Sequence, residues 1–341
     1  MINDTLKGQF FKKSTLFVLI PVFLVALLLP MVFNSFYIMS VLINCLLFAS
    51  MGYAWNLISG YGGMVSICHA GFIAIGAYTC FLMYINFGIS PILSMPIGIL
   101  ICYIFATIMG RITLKYRGPF FSISTIVFIE LFRTMLMYFK DITNGSSGLV
   151  IPYSEPDPLN LLFPNNVPYY YIALVVLLLC MLVCWLFINS KSGYYLRTIK
   201  GDQDAAESLG IDAMRVKLRS FQLSAVMTSV IGAVYALFFT YIEPATICSM
   251  DLSIKICSIV IIGGIGTFFG PLIGAFVLIP LSEVALRVFP DGGAQLFYGL
   301  GLIIIILVLP GGIESLFSKH LIPYIRKKKT LCNKDKERDV S

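Results

Sequence analysis

Charge is what this sequence has least of. Asp, Glu, Lys and Arg make up 12% of its 341 residues, about half of the roughly 25% found in an ordinary soluble domain. A water-solvated globule is therefore excluded. Paired, loop-placed cysteines are missing too. The nine cysteines are an odd number scattered mostly through apolar segments, which excludes a disulfide framework. Cys180 and Cys184 share a helix face without a nearby histidine, so packing is expected there and not metal binding. No G-x-x-x-x-G-K-S/T, H-E-x-x-H or G-x-S-x-G pattern occurs. The chain is thus expected to carry no phosphate-loop ATP site, no metal and no cofactor. Alternating strand patterns are absent as well, which removes a transmembrane barrel.

What is present is apolar length: hydrophobic residues make up 58% of the chain. Several runs approach the ~20 residues that cross a ~30 Å hydrocarbon core, where unpaired backbone groups force helix. The expected fold is all-α, a polytopic membrane protein of about ten transmembrane helices: 16–33, 37–58, 64–86, 92–110, 120–139, 169–188, 220–242, 255–267, 270–289 and 295–310. The eighth is too short to cross alone. Lys7, Lys12 and Lys13 precede the first run, but Asn34, Ser35, Phe36 and Tyr37 follow it in place of a small-residue cleavage site. It reads as an uncleaved span.

If these spans alternate, 20 of the 24 Lys and Arg residues fall on one side, which the positive-inside rule makes cytoplasmic. This gives a cytoplasmic N-terminus at 1–15, a membrane domain at 16–310 and a basic cytoplasmic tail at 311–341. Within the membrane domain, 140–168 is an external loop with five prolines, and 189–219 is the main cytoplasmic loop. Topology accounts for the +7 net charge, so no nucleic acid is implied. The Arg326–Lys329 cluster suits anionic lipid headgroups.

Four features carry candidate chemistry. Between Leu196 and Phe221, Asp202 reads as a helix N-cap and Gly210 as its stop, with Leu209, Ile211 and Met214 offering apolar contacts to a cytosolic partner. Two Gly-rich segments, Gly60–Tyr78 and Gly263–Ala275, carry Ser66 and Thr267 and hint at an internal repeat. Such breaks often line a cavity at mid-depth. Glu130 and Arg133 stand one helical turn apart in the fifth span, either as a neutralising pair or on a pathway, and Glu283 and Arg287 form a similar pair in the ninth. His69, the only histidine inside a span, either packs against a neighbouring helix or serves a substrate or proton.

Several ordered stretches then resemble one family, the membrane permeases of ATP-driven importers for branched-chain amino acids. They are WNLISGYGGMVSICHAGFIAIGAY at Trp55–Tyr78, RGPFFSISTIVFIELFR at Arg117–Arg133 with TNGSSGL at Thr143–Leu149, LRTIKGDQDAAESLGI at Leu196–Ile211, and IIGGIGTFFGPLIGA at Ile261–Ala275. The second resembles the segment that marks the longer of the family's two paired permeases. The third resembles its ATPase-coupling loop, a Glu-Ala-Ala run followed by Gly. Asp204, Ala205 and Ala206 stand in those places here, with Glu207 next and Gly210 four residues beyond Ala206. Aspartate keeps the charge and is one methylene shorter. The resemblance implies four kinds of partner: a second related permease, two cytosolic ATPase subunits, an extracytoplasmic substrate-binding protein and membrane lipid. It implies leucine, isoleucine or valine as cargo. Relatives on the same scaffold carry urea, short amides or other amino acids. An ion-coupled secondary transporter is the alternative of a different class.

Overall fold

The structure is a computed structural model that describes residues 35–151, 157 and 160–288, together with 27, 29, 30, 299, 300, 303, 307 and 311–316. The expected spans 16–33 and 295–310, the segment 1–15 and the basic tail fall largely outside the described residues.

Among these residues eight segments are long and apolar enough to cross a membrane. The long helices are α1 (Phe36–Trp55), α2 (His69–Phe87), α3 (Pro91–Thr113), α4 (Pro119–Tyr138) and α5 (Asn166–Ile188). Two short helices, α6 (Lys191–Gly201) and α7 (Gln203–Ser208), lead into α8 (Ala213–Phe239), α9 (Met250–Gly263) and α10 (Gly270–Val288). The chain is a multi-pass, all-α membrane protein.

Short connections reverse the chain between spans, so the basic connections gather at one end of the bundle, the basic end. At the opposite end β1 (Leu149–Val150) pairs antiparallel with β2 (Tyr241–Ile242). There too Gly88 closes α2 in the left-handed region at φ 62° and turns the chain into Pro91, the first residue of α3.

Three expected boundaries shift. The eighth span is longer than expected: a single turn at Pro244–Ile247 joins α9 into the 20-residue segment Pro244–Gly263, long and apolar enough to cross. Thr246, Ser249 and Asp251 had interrupted its apolar run. In fact Pro244 begins the turn and Ser249 caps α9 by accepting from Leu252 N. The seventh span begins at Ala213, because Lys217 buries its stem and donates to Gln203 Oε1 at 2.7 Å. The third begins at His69, since residues 64–68 run without helix.

Lipid removes most of the hydrophobic drive between helices, which leaves close packing to hold the bundle. At the α2–α8 crossing a Cβ on Gly76 would overlap the Ser229 carbonyl, and one on Gly232 would overlap the Ile73 backbone. Larger residues at either position would force the helices apart. Near the basic end, Phe72, Phe121 and Phe221 meet edge to face at 5.5 and 6.4 Å, tying α2, α4 and α8 together.

Candidate coupling and translocation site

At the basic end, α6, α7 and α8 follow one another with a side-chain cap at each start. Ser190 accepts from Gly193 N at 3.3 Å, Asp202 from Asp204 N and Ala205 N at 2.9 and 3.1 Å, and Asp212 from Arg215 N at 2.9 Å. Beyond α7, Gly210 takes φ +82°, a left-handed turn that costs glycine nothing. Two side chains fix α7 to the bundle. Arg117, just before α4, grips Asp204 with both terminal nitrogens at 2.8 and 3.2 Å, and Lys217 of α8 holds Gln203. The Arg117 guanidinium holds the Asp204 carboxyl below the usual carboxylate range. A depressed carboxylate pKa means the tie is complete above that range and lost only as pH falls through the lowered value. Both groups are exposed, so salt screens the pair.

Ala206 is fully buried against the bundle, so it cannot face a partner as expected. Ile211 and Met214 also pack inward. The outward surface includes Asp204, Ala205, Glu207, Ser208, Leu209 and Gly210, and Leu209 is 79% exposed.

Two helical residues before Asp202, Lys200 reaches the other way. Its Nζ donates to the Gly60 carbonyl at 2.7 Å. Gly60 ends a π-helical turn, Asn56–Gly60, that closes α1. The first residue of this turn is Asn56. Its Nδ2 donates to Thr267 O at 2.8 Å, while its Oδ1 accepts from Gly266 N at 2.9 Å. A Cβ on Gly60 would overlap Asn56 Oδ1 and come within 2.7 Å of Gly266 N, so the glycine makes this reach possible. Thr267 caps α10 by accepting from Gly270 N at 3.2 Å. The Glu314 carboxyl, its pKa raised by burial, faces Thr267 and the N–H groups of Phe269 and Gly270. The two Gly-rich segments thus meet in one knot at the basic end. They do not break the helices at mid-depth, as their composition suggested.

His69 is buried. Ser224 Oγ donates to Ala54 O and so accepts from His69 Nε2 at 2.8 Å, leaving Nδ1 to face Ser66 Oγ at 3.4 Å. Ser66 is held in turn: its carbonyl accepts from Trp55 Nε1 at 2.7 Å and its N–H donates to Ser59 Oγ at 3.2 Å. This arrangement is packing between α1, α2 and α8, away from any cavity described in the chain. Glu130 and Arg133 pair at 2.9 Å on a partly exposed face of α4. Glu283 and Arg287 do not pair with each other: Arg287 lies 3.5 Å over the Tyr37 ring, and Glu283 lines a cavity with Lys255. The structure therefore brings together Thr267 and the coupling segment, and leaves Ser66, His69, Glu130 and Arg133 outside that group. Asn56, Lys200 and Lys255 were missed by sequence reasoning. Lys255 did leave a signal, as a lysine in the middle of an apolar run.

A family model described as "Branched-chain amino acid transport system / permease component" matches residues 37–309. The chain belongs to this permease family. It is 26% identical over 285 residues to the high-affinity branched-chain amino acid transport system permease protein LivM of Salmonella typhimurium. That match covers 76% of this chain and 66% of the relative, just under two thirds of its length. A probable branched-chain amino acid transport permease protein, LivH of Methanocaldococcus jannaschii, is 27% identical over 276 residues, covering 75% and 84%. Among solved structures, a chain of PsaBC from Streptococcus pneumoniae in complex with Fab covers 79% of this chain and 88% of its own, at 15% identity and a TM-score of 0.40.

For the permease, the buried hydrogen bonds of His69 make a packing role the stronger reading. His69→Gln, which keeps one donor and one acceptor, should leave transport and its pH profile intact. His69→Ala should cost about 1–3 kcal/mol of stability, because it deletes the buried donor to Ser224 Oγ and leaves a cavity. Thermal unfolding in detergent and uptake across a pH series check this; pH-dependent loss of uptake in His69→Gln would instead mean a proton role.

Proposed function

We propose that this permease is the translocation subunit of an ATP-driven importer that passes leucine, isoleucine and valine from an extracytoplasmic binding protein to the cytoplasm. It sits in a prokaryotic plasma membrane with both termini and the basic end inside. A second related permease completes the path, and two cytosolic ATPase subunits supply hydrolysis. The exposed side of α7 and the turn after it, Ala205 with Glu207 to Gly210, is the surface they grip.

The observation that carries this reading is mechanical. The docking helix begins three residues after Lys200, past Gly201 and the extended cap Asp202; Lys200 holds the last turn of α1, and that turn holds the α9–α10 connection through Asn56. A displacement at α7 therefore reaches the inner ends of three spans without passing through solvent. In this scheme the knot is the inner gate, closed while the docking helix rests. ATP binding in the partner shifts α7, draws Lys200 from Gly60 and frees the Gly-rich ends to part.

The test is reconstitution of the permease with its genomic partners in liposomes. ATP inside and binding protein outside should drive accumulation of labelled leucine, and omission of either should abolish it. Uptake of urea in place of leucine would keep the machinery and replace the cargo. Uptake by this chain alone under an ion gradient would overturn the proposal.

A further inference from the structure

Away from the knot, a cavity of about 460 Å³ opens between α1, α8, α9 and α10. Its lining includes the exposed Phe239, Ala245 and Thr246, at the end opposite the basic one, together with Asn44, Phe48, Tyr235 and Lys255. Its volume falls within the few hundred Å³ typical of a small-molecule site.

Its polar groups are unusual for their depth. Lys255 lies eleven residues into the Pro244–Gly263 span, about 16 Å along a helix and so near the middle of a bilayer. A cation at that depth is costly, and such residues normally pair. Yet the ion pairs among the described residues are Arg117–Asp204, Glu130–Arg133 and Asp212–Arg215. Lys255 has instead the face of Phe48, its Nζ 4.8 Å from the ring centroid. Asn44 Oδ1 is buried without a hydrogen-bond donor. Glu283 and Asp251 line the same cavity. It therefore holds a cation without a salt bridge, two carboxylates, an acceptor without a hydrogen bond and aromatic walls.

We propose that this cavity binds the zwitterionic head of an α-amino acid, with Lys255 meeting the carboxylate, Glu283 and Asn44 Oδ1 meeting the ammonium, and Phe48 and Tyr235 covering the side chain. The inference rests on the amino-acid cargo proposed above and adds the residues that recognise it. An anion alone suits the cavity badly, because the two carboxylates repel it, and an amine alone leaves Lys255 without a direct anionic partner. A zwitterion answers both. Weak, partial pairing also suits a transit site, where tight binding would slow release.

The test uses the assembled importer in liposomes with Thr246→Cys at the mouth, labelled by an anionic methanethiosulfonate. Leucine should slow labelling about tenfold, while 3-methylbutylamine and 4-methylpentanoate, its two half-charged relatives, should not. Lys255→Met should remove the protection and Lys255→Arg retain it, with both variants co-purifying with their partners as the parent does. Equal protection in Lys255→Met, or protection by either half-charged relative as strong as by leucine, overturns the assignment. ATP-driven leucine uptake by the same liposomes separates the two levels. Uptake without protection overturns the cavity alone, and absent uptake overturns the cargo on which it rests.

Discussion

A Leu209→Glu permease should purify with the second permease proposed above but without the proposed ATPase. Leu209 stands 79% exposed at the end of α7, with the inward-facing Ala206 on the opposite side. An apolar side chain held out in water by a capped helix, beside a glycine with open space around it, is shaped for a pocket on another molecule. Burying a leucine contributes about 1.5–3 kcal/mol. Glutamate forfeits that and adds the cost of desolvating a charge. ATPase recovery should therefore fall by at least about tenfold. Leu209→Ala should fall between the two, having lost burial without adding charge. Glu207→Lys changes charge on the same rim and should weaken recovery less, because rim charges contribute little. Co-purification in mild detergent, quantified against the partner permease, reads all three. Full ATPase recovery with Leu209→Glu would place the docking surface elsewhere.

The sequence made this helix legible for a local reason. Asp202 and Gly210 act on backbone groups within a few residues of themselves, so side-chain chemistry alone brackets α7. The spans were legible because lipid permits only helix in a chain of this composition. The inward turn of Ala206 was not legible, since alanine suits either face of a six-residue helix. Longer links were hidden for a different reason. Lys200 meets a carbonyl 140 positions away, and Asn56 meets groups more than 200 positions away. No periodicity encodes such pairs. Glycine enrichment marked both partners of the knot, but composition cannot tell a break that lines a cavity from a turn where two chain segments touch. Lys255 was passed over because the expected span 255–267 began at it, which put its charge at the membrane edge, whereas the segment begins at Pro244 and sets it eleven residues deeper.

The knot yields the second large expected effect. Asn56→Ala deletes two hydrogen bonds between α1 and the α9–α10 connection and leaves Gly266 N–H and Thr267 O unpaired. Each unpaired group costs about 1–3 kcal/mol when buried, and this site is half-buried, so about 2 kcal/mol in all is a fair expectation. That would shift a closed gate toward opening roughly thirtyfold. Liposomes preloaded with leucine should then leak without ATP, and hydrolysis should continue with fewer molecules moved per ATP. Gly60→Ala reaches the same state by another route. Its backbone is helical and tolerates alanine, but the new methyl takes the space of Asn56 Oδ1 and crowds Gly266 N, so the asparagine must swing away. If both substitutions act only by breaking this one link, the double variant Asn56→Ala, Gly60→Ala should leak no faster than either alone, because a bond cannot be lost twice. Leak rates that multiply in the double variant would mean that the new methyl also acts on Gly266 directly, and no leak from either single variant would place the gate outside the knot.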